Sequence, residues 1–273
     1  MIRITSKWAG TARVAQEARP NLATETATSE MLPPASSLQA LQRVPWLQEV
    51  PESTLRALAD QTALHGAPAG VQLFEQAETP GVAQFLLSGV VELLAVRGVE
   101  ETLIELVRPF DLILPAAVLS RQPYLARARV QADAQLLLIP AEAFRRAVTA
   151  DHAFCLAILA CQAAQFRRQM KQAKSIRLRS AEERIGAYLL ALFEASGGAE
   201  TIRLPLEKRQ VASQLGMTRE TFSRVLPNLI QHGLRVSGDI LKVEDLGAAR
   251  AAFPSDPLID GPEPITPLSF TRT

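Results

Sequence analysis

The stretch of residues 151–177 contains neither proline nor glycine, the two residue types that most often interrupt a helix. Its apolar residues recur at helical spacing. We therefore predict one long helix, assigned to residues 151–178, with a length of about 40 Å at about 1.5 Å per residue. Such a helix divides the chain into a part that precedes it and a part that follows it.

Six apolar positions of this predicted helix follow the alternating three- and four-residue spacing of a heptad seam. The seam favours a coiled coil between two copies of the chain, and therefore a homodimer. Packing of the same residues against the preceding domain is the alternative. The seam consists of Leu156, Leu159, Ala163, Phe166, Met170 and Ala173.

The last turns of the same helix are strongly basic. A solvated helix face would have this composition, and so would a face that lies close to DNA phosphates. The basic residues are Arg167, Arg168, Lys171, Lys174, Arg177 and Arg179.

The part of the chain before the long helix has the pattern of a small β-structure. Short apolar or alternating runs, separated by glycine, proline and polar turns, follow one another from Val71 to Ile139. Runs of this kind favour a β-roll or barrel. Residues 36–64 are predicted to form short helices before it, and Pro140 is predicted to open another, because proline suits the first helical turn. We assign residues 31–150 to this domain.

The composition is that of a globular protein, with 48% hydrophobic and 21% charged residues, which excludes wholesale disorder. The charges are unevenly distributed. Residues 31–150 hold 9 basic and 12 acidic side chains, whereas residues 151–250 hold 15 basic and 10 acidic ones. The basic part would suit a polyanionic partner. Residues 1–30 lack a sustained apolar period, and we predict a disordered tail there. We predict a second disordered tail at 251–273, because the prolines within residues 254–273 allow neither a helix nor a central strand.

The two cysteines, Cys155 and Cys161, are too few for a disulfide framework or a zinc site. The first residues lack the apolar core of a signal peptide, and no apolar run approaches the roughly 18–20 residues that cross a bilayer. We therefore expect a reduced, cytoplasmic protein without a membrane partner.

The part after the long helix contains the clearest functional pattern. Residues 207–215 predict a short amphipathic helix, Gly216 a tight turn, and Thr218 the cap of a second helix that runs over residues 219–232. Residues 234–243 then predict a hairpin. A helix, a short glycine turn and a second helix are the arrangement with which many proteins read DNA. A small helical subdomain with surface charges is the alternative.

The second of these helices has one polar and one apolar face. The polar face fits base reading, because arginine can form a bidentate pair with guanine and glutamate can accept a hydrogen bond from the cytosine amino group. A helix that binds protein would instead be expected to expose apolar anchors. The polar face contains Arg219, Glu220, Ser223 and Arg224, and the apolar face Phe222, Val225, Leu226 and Leu229.

Three segments together resemble the Crp/Fnr family of bacterial transcription regulators: FLLSGVVELL (85–94), the long helix from residue 151, and LGMTRETFSRVL (215–226). The resemblance spans about residues 36–250. It implies an α+β chain with an N-terminal cyclic-nucleotide-binding-like β-roll (jelly roll), a dimerisation helix, and a C-terminal winged helix-turn-helix at 179–250.

The family pattern also implies which residues read DNA. The base-contacting glutamate and arginine fall on Glu220 and Arg224, Ser223 completes the E-x-x-S-R set of Fnr-type members, and Arg219 matches the first arginine of the cyclic-AMP branch. Thr218 and Lys208 are assigned to the same interface. The implied partners are RNA polymerase and double-stranded DNA with a pseudo-palindromic site whose half-site resembles TTGAT.

The sequence departs from the family pattern at several positions. Pro227 lies within the recognition helix and should kink it after the base-reading turn. Ala77 replaces a glycine of the β-roll.

The Gly-Glu pair that cyclic-nucleotide-binding members use is replaced by Leu114-Pro115, and the Arg-Ser pair falls at about Tyr124-Leu125. Although Arg121 or Arg127 could supply a guanidinium for the phosphate, the loss of the glutamate makes cyclic AMP an unexpected ligand. An iron–sulfur cluster is also excluded, because it needs about four thiolates and the chain has only two cysteines.

The stretch that replaces the nucleotide-binding residues is apolar, which would suit haem, as in family members that sense nitric oxide or carbon monoxide. An apolar core without any ligand is the alternative. Candidate axial ligands are His65, His152 and Cys155, and a solvated surface position is the alternative for either histidine. The predicted effector pocket contains Leu112, Ile113, Leu114, Leu119, Tyr124 and Leu125.

Three classes of function remain for this sequence: a DNA-binding regulator, an effector-binding β-roll module whose C-terminal domain contacts protein, and an enzyme. The chain lacks a glycine-rich phosphate loop, a G-x-S-x-G elbow and an H-E-x-x-H pair. We therefore expect no enzymatic activity and favour the DNA-binding regulator.

Overall fold

The computed structural model describes residues 34–263 and residue 265, with side chains from Ser37 onwards. The predicted tail at 1–30 lies outside these residues. The chain folds into two compact units, of which the first ends at Ala163 and also contains Ile265, and the second begins at Ala164. The division therefore falls within the long helix rather than at its ends, where the sequence placed the domain boundaries.

The first unit combines short helices with a β-roll. Residues 63–64, which were expected to be helical, instead begin a strand. The helices are α1 (Pro34–Gln42), α2 (Glu52–Ala59), α3 (Pro115–Ser120) and α4 (Ala141–Ala150), with a 3₁₀ turn at Pro45–Leu47. The strands are β1 (Ala63–Ala67), β2 (Gln72–Phe74), β3 (Val82–Arg97), β4 (Glu100–Val107) and β5 (Arg127–Pro140).

These strands form one antiparallel sheet in the order β1-β5-β3-β4, with β2 also paired to β5. Two long strands, β3 and β5, replace the shorter runs that the sequence suggested. Irregularities in the register between Leu86 and Val91 bend β3, and Gly89 lies among them with a φ of 87°. A Cβ at Gly89 would lie 2.3 Å from the carbonyl oxygen of Asp133, so the close approach of β5 requires glycine there.

The first unit has two apolar clusters. One contains Trp46, Phe85 and Phe144 together with the buried face of the long helix. The other fills the roll with residues such as Phe74, Leu86 and Tyr124. Ile265, from near the end of the chain, packs against the first cluster.

The long helix is confirmed as α5 (His152–Leu178). Asp151 caps it, because its side chain accepts a hydrogen bond from the Phe154 N–H at 2.8 Å. The side chains that α5 buries in the first unit are Phe154, Ala157, Ile158 and Cys161.

The predicted seam lies on a different face of α5 from this buried one. Leu159 is 49% exposed, Phe166 67% and Met170 48%. Ala163 is also exposed, and Leu156 and Ala173 are half-buried. The alternative that the seam covers the preceding domain is therefore wrong for most of its length, because other residues of the same helix do so.

The second unit contains the winged helix-turn-helix. A three-stranded sheet in the order β6-β8-β7 lies beside the helices. Its core contains Leu189, Phe222 and Leu229, all fully buried. The elements are α6 (Ala181–Ala195), β6 (Thr201–Arg203), α7 (Lys208–Gln214), α8 (Arg219–Val225), a 3₁₀ helix (Leu226–His232), β7 (Leu234–Ser237), β8 (Ile240–Val243), α9 (Leu246–Ala252) and α10 (Pro257–Asp260).

The expectation that residues 254–273 hold no helix is wrong for the residues that the structure describes there. Helix α9 continues to Ala252, and α10 follows it. Proline does not prevent α10, because Pro257 occupies its first turn, where a missing N–H breaks no helical hydrogen bond. Asp256 caps this turn by accepting a hydrogen bond from the Leu258 N–H at 2.8 Å.

Between residues 34 and 263, no single helix has the length and apolar composition needed to cross a membrane. Helices α4 and α5, which are bent by 113° relative to each other, have this length and composition only when they are taken together.

Candidate nucleic-acid interface

The turn between α7 and α8 is shaped by Gly216. Its φ is 65°, a left-handed conformation that favours glycine, and the N–H of Met217 closes the turn by donating to the Ala212 carbonyl at 3.0 Å. A Cβ at Gly216 would lie 2.8 Å from Cδ1 of Ile176 on α5. Glycine is therefore required at 216 for two reasons: the backbone is left-handed there, and the Ile176 side chain leaves no space for a Cβ.

The end of α5 thus supports the helix-turn-helix. Beside the Ile176 contact, the side-chain amide of Gln172 donates to the Gln214 carbonyl at 3.4 Å. Arg184 donates in turn to the Ile176 carbonyl at 3.1 Å. Gln172 and Ile176 could not be identified as supporting residues from the sequence, although the need for glycine at 216 is a sign that something approaches it closely.

Helix α8 begins with a side-chain cap. The Thr218 hydroxyl accepts a hydrogen bond from the Thr221 N–H at 3.2 Å. Hydrogen bonds to Glu220 from its own backbone N–H and from the Thr218 hydroxyl, together with the charge of Arg219, lower the pKa of Glu220. Glu220 is therefore a carboxylate at neutral pH, the form that accepts hydrogen bonds from a base.

The predicted DNA-reading residues are brought together on one exposed surface. Arg219, Glu220, Ser223 and Arg224 are exposed, as is Thr218. Within residues 34–263 and 265, neither Arg219 nor Arg224 forms an ion pair, so both guanidinium groups are available to a ligand. The arrangement can present two cations, one carboxylate and one hydroxyl to base edges, although these contacts stay a prediction.

The other predicted contact, Lys208, lies half-buried in the first turn of α7. Its ammonium group contributes to the lowered pKa of Asp239, after the stronger effects of Arg203 and of the Asp239 backbone N–H. Asp239 lies at the tip of the hairpin between β7 and β8, where it also pairs with Arg203 at 2.5 Å. Lys208 therefore belongs to the surface between α7 and the hairpin of β7 and β8, which is the wing of the winged helix-turn-helix.

The recognition helix is shorter than the predicted 219–232. Its α-helical part ends at Val225 and continues as the 3₁₀ helix Leu226–His232. Pro227 explains the change, because it has no N–H to donate to the Ser223 carbonyl. Arg224 precedes this point, so the turn that is predicted to read bases keeps regular helical geometry.

The predicted effector residues do not line one pocket. Residues 111–113 pair with β3, since Leu112 bridges to Phe85 and the Ile113 N–H donates to the Gln84 carbonyl at 2.9 Å. Successive side chains of such an extended segment point to opposite faces. Leu112 therefore joins the first apolar cluster with Leu119, whereas Ile113 joins the second with Leu114 and Tyr124.

Leu125 contradicts the pocket prediction outright, because it is 87% exposed. Its neighbour Tyr124 is buried and stacks on Phe74 with ring centroids 3.6 Å apart. Burial raises the pKa of Tyr124 far above its usual value, so its hydroxyl stays neutral.

The two arginines that could have bound a cyclic phosphate already have carboxylate partners. Arg127 pairs with Glu75 at 2.7 Å and with Glu101, and Arg129 extends the network to Glu92 at 2.5 Å. Arg121 pairs with Glu142 at 3.4 Å on the surface. The guanidinium group of Arg127 is thus neutralised by carboxylates of the same chain.

The three candidate haem ligands lie in different surroundings. His65 on β1 is only 7% exposed, so the alternative of a surface position is wrong for it. Its Nε2 has no hydrogen-bond partner among the described residues, and burial lowers its pKa. His152 is exposed at the start of α5 and Cys155 is half-buried one turn later. Among residues 34–263 and 265, no cluster of three or more His, Cys, Asp or Glu side chains could hold a metal ion.

Comparison with known protein families assigns a domain to each unit. Residues 65–151 match the cyclic nucleotide-binding domain, and residues 183–248 match the Crp-like helix-turn-helix domain. The second match contains α7, α8 and the wing.

Among curated proteins, the chain is similar to the nitrogen fixation regulation protein FixK of Rhizobium meliloti, with 44% identity over 54 residues, which cover 20% of this chain and 26% of FixK. The chain thus matches about a quarter of the length of the curated relatives.

Solved structures share the fold over most of their length. A regulator of the Crp/Fnr family from Eubacterium rectale has a TM-score of 0.63 and 16% identity, covering 77% of this chain and 98% of that one. FixK2 from Bradyrhizobium japonicum has a TM-score of 0.58 and 18% identity, covering 71% and 98%. At these identities the likeness shows the fold.

Proposed function

The chain belongs to the Crp/Fnr family of regulators, and we propose that it is a homodimeric, sequence-specific DNA-binding transcription regulator. The observation that carries the proposal is the exposed face of α8, where Arg219, Glu220, Ser223 and Arg224 lie together at the beginning of a helix-turn-helix recognition helix. The residues at this end of such a helix are the ones that reach base edges. The name of the relative FixK, a regulation protein, points the same way.

A polar face of this kind favours DNA over a protein partner. Protein-binding helices present apolar anchors, whereas the apolar residues Phe222, Leu226 and Leu229 of this region are buried. The exposed seam of α5 supports the dimer, because Leu159, Phe166 and Met170 leave an apolar stripe in water in the single chain. In this proposal a two-fold dimer binds a pseudo-palindrome, with RNA polymerase as a further partner.

The experiment that tests the function uses two duplexes. One contains two inverted TTGAT half-sites about one helical turn apart, and the other contains the same bases in scrambled order. We expect the wild-type protein to bind the first duplex about 10³-fold or more tightly than the second at the same salt concentration. Equal affinities for the two duplexes would contradict the proposal.

The proposed effector is a molecule other than cyclic AMP. Leu114-Pro115 lacks the ribose-binding carboxylate of the family pattern, and Arg127 is paired with Glu75 and Glu101. Calorimetric titration with cyclic AMP should therefore give no heat of binding, and micromolar binding would overturn this part of the proposal.

A further inference from the structure

The segment after α9 returns to the long helix and binds its cations. Arg179 Nη1 and Nη2 donate to the two carboxylate oxygens of Asp260, both at 2.6 Å. Arg167 donates to both oxygens of Glu263 at 2.8 and 2.9 Å. Lys171 Nζ lies 2.6 Å from the Glu263 carboxylate and donates to the Gly261 carbonyl at 2.9 Å. We call residues 256–263 the clasp.

The clasp is a specific contact rather than a loose cloud of surface charges. Two of its pairs are bidentate arginine–carboxylate pairs, which are stronger and more directional than single ion pairs. The side chains of Lys171, Arg179 and Glu263 are only 14%, 12% and 11% exposed. Pro257 and Pro262 restrict the segment, which lowers the entropy lost when it is held in place.

The charge state of the clasp is fixed at neutral pH. Hydrogen bonds from Arg167 and Lys171 lower the pKa of Glu263 to about 2. The pKa of Asp260 is also lowered, by its hydrogen bonds from Arg179 and from the Asp256 N–H, against the opposing effect of its burial. Both groups are therefore anions that cover cations of α5 and of Arg179, the residue directly after it.

The covered cations lie in the last turns of α5 and directly after its end, and this end of the helix contacts the turn between α7 and α8. Ile176, which stands between Lys171 and Arg179 in sequence, contacts Gly216. Helix α8 begins three residues after that glycine, at Arg219. Since the beginning of a recognition helix enters the groove, whose edges are lined by phosphates, we expect the cations at this end of the long helix to come near the backbone of bound DNA.

We propose that the clasp is an internal mimic of the phosphate backbone: Asp260 and Glu263 cover Arg167, Lys171 and Arg179 in the free protein, and DNA displaces them. The clasp then weakens binding to DNA of any sequence, while base reading by α8 is unaffected. This inference rests on the proposed DNA-binding function.

The test compares the wild type with the variant Asp260→Asn/Glu263→Gln on a duplex that lacks TTGAT. We expect the variant to bind about tenfold more tightly at low salt. Each newly available phosphate contact steepens the dependence of log K on log[salt] by about 0.9, so the slope should become steeper by about two to three. The variant Glu194→Gln/Glu200→Gln is the matched control. It changes the net charge equally and breaks the exposed pair of Glu194 with Arg250, at 3.1 Å, in the same unit.

A second background separates the clasp from general charge effects. In the variant Arg167→Gln/Lys171→Gln/Arg179→Gln, the removal of the two clasp carboxylates should change neither affinity nor slope. Should the double clasp variant fail to fold, Asp260→Asn alone frees Arg179 and should steepen the slope by about one.

Two results would overturn the proposal that the clasp competes with DNA: an unchanged salt slope in the double clasp variant, or an equal change of slope in the control variant. If the wild type nevertheless prefers the TTGAT duplex, only the clasp proposal is overturned and the proposed function stands. If the wild type binds neither duplex, the proposed function is overturned with it.

Discussion

Four described residues of the first unit adopt a left-handed backbone conformation although none is glycine: Ala77, Phe110, Leu114 and Arg121. Ala77 has a φ of 68° and Leu114 a φ of 44°. In the pattern of the Crp/Fnr family that the sequence resembles, Ala77 and Leu114 stand at glycine positions, and glycine is the residue that suits such a turn. Hydrogen bonds hold these turns, since the Ala77 N–H donates to the Tyr124 carbonyl at 2.8 Å and the Leu114 carbonyl accepts from the Ala117 N–H at 3.1 Å. An L-residue in this conformation costs about 1–2 kcal/mol.

Replacement of Ala77 by glycine should therefore stabilise the protein. Ala77 is exposed, so no packing is lost, and the relief of strain exceeds the extra chain entropy that glycine has when unfolded. We expect the free energy of unfolding to rise by about 1 kcal/mol, measured by urea denaturation. The control is Ala57→Gly on the exposed side of α2, which should lower stability by about 1 kcal/mol. A loss of stability in Ala77→Gly as well would refute the strain argument.

At the scale of elements, α5 has a different neighbour on each of its sides. Phe154, Ile158 and Cys161 bury one side in the first unit, the clasp covers cations on another, and the seam stays exposed. The positions that heptad spacing selects are therefore not those that the single chain buries. Spacing alone could not decide between the two alternatives, because both need apolar residues at helical intervals.

The variant Leu159→Glu/Phe166→Glu should be a monomer. Both side chains are exposed in the single chain, so the change leaves its fold intact, whereas in a two-chain seam the like charges would meet at a cost of several kcal/mol. Sedimentation equilibrium measures the mass. The matched control is Val99→Glu/Leu125→Glu, which alters two exposed apolar residues outside α5 and should sediment like the wild type. A dimeric seam variant would show that the seam lies elsewhere.

At the scale of the whole molecule, the order of β-roll, long helix and winged helix-turn-helix was predictable, because each has its own periodicity and turn residues. The clasp was not, since a proline-rich segment gives no periodic signal and its contacts join residues 167 and 263, which lie far apart in sequence. The predicted effector pocket failed for a related reason: an apolar run shows that residues are buried, but not on which side of the backbone each one lies. The exposed face of α8 was predictable because its polar residues share one helical face.

The proposed function depends most on whether α8 reads bases. The most direct measurement is selection of binding sites from random DNA by the wild type and by Arg224→Ala, with Arg250→Ala as a control for the loss of one exposed arginine. We expect TTGAT-like half-sites for the wild type and for the control. For Arg224→Ala we expect a loss of preference at one base pair and a cost of about 1–3 kcal/mol on the selected site. Identical preferences for wild type and Arg224→Ala would contradict the assignment of α8 as the helix that reads DNA.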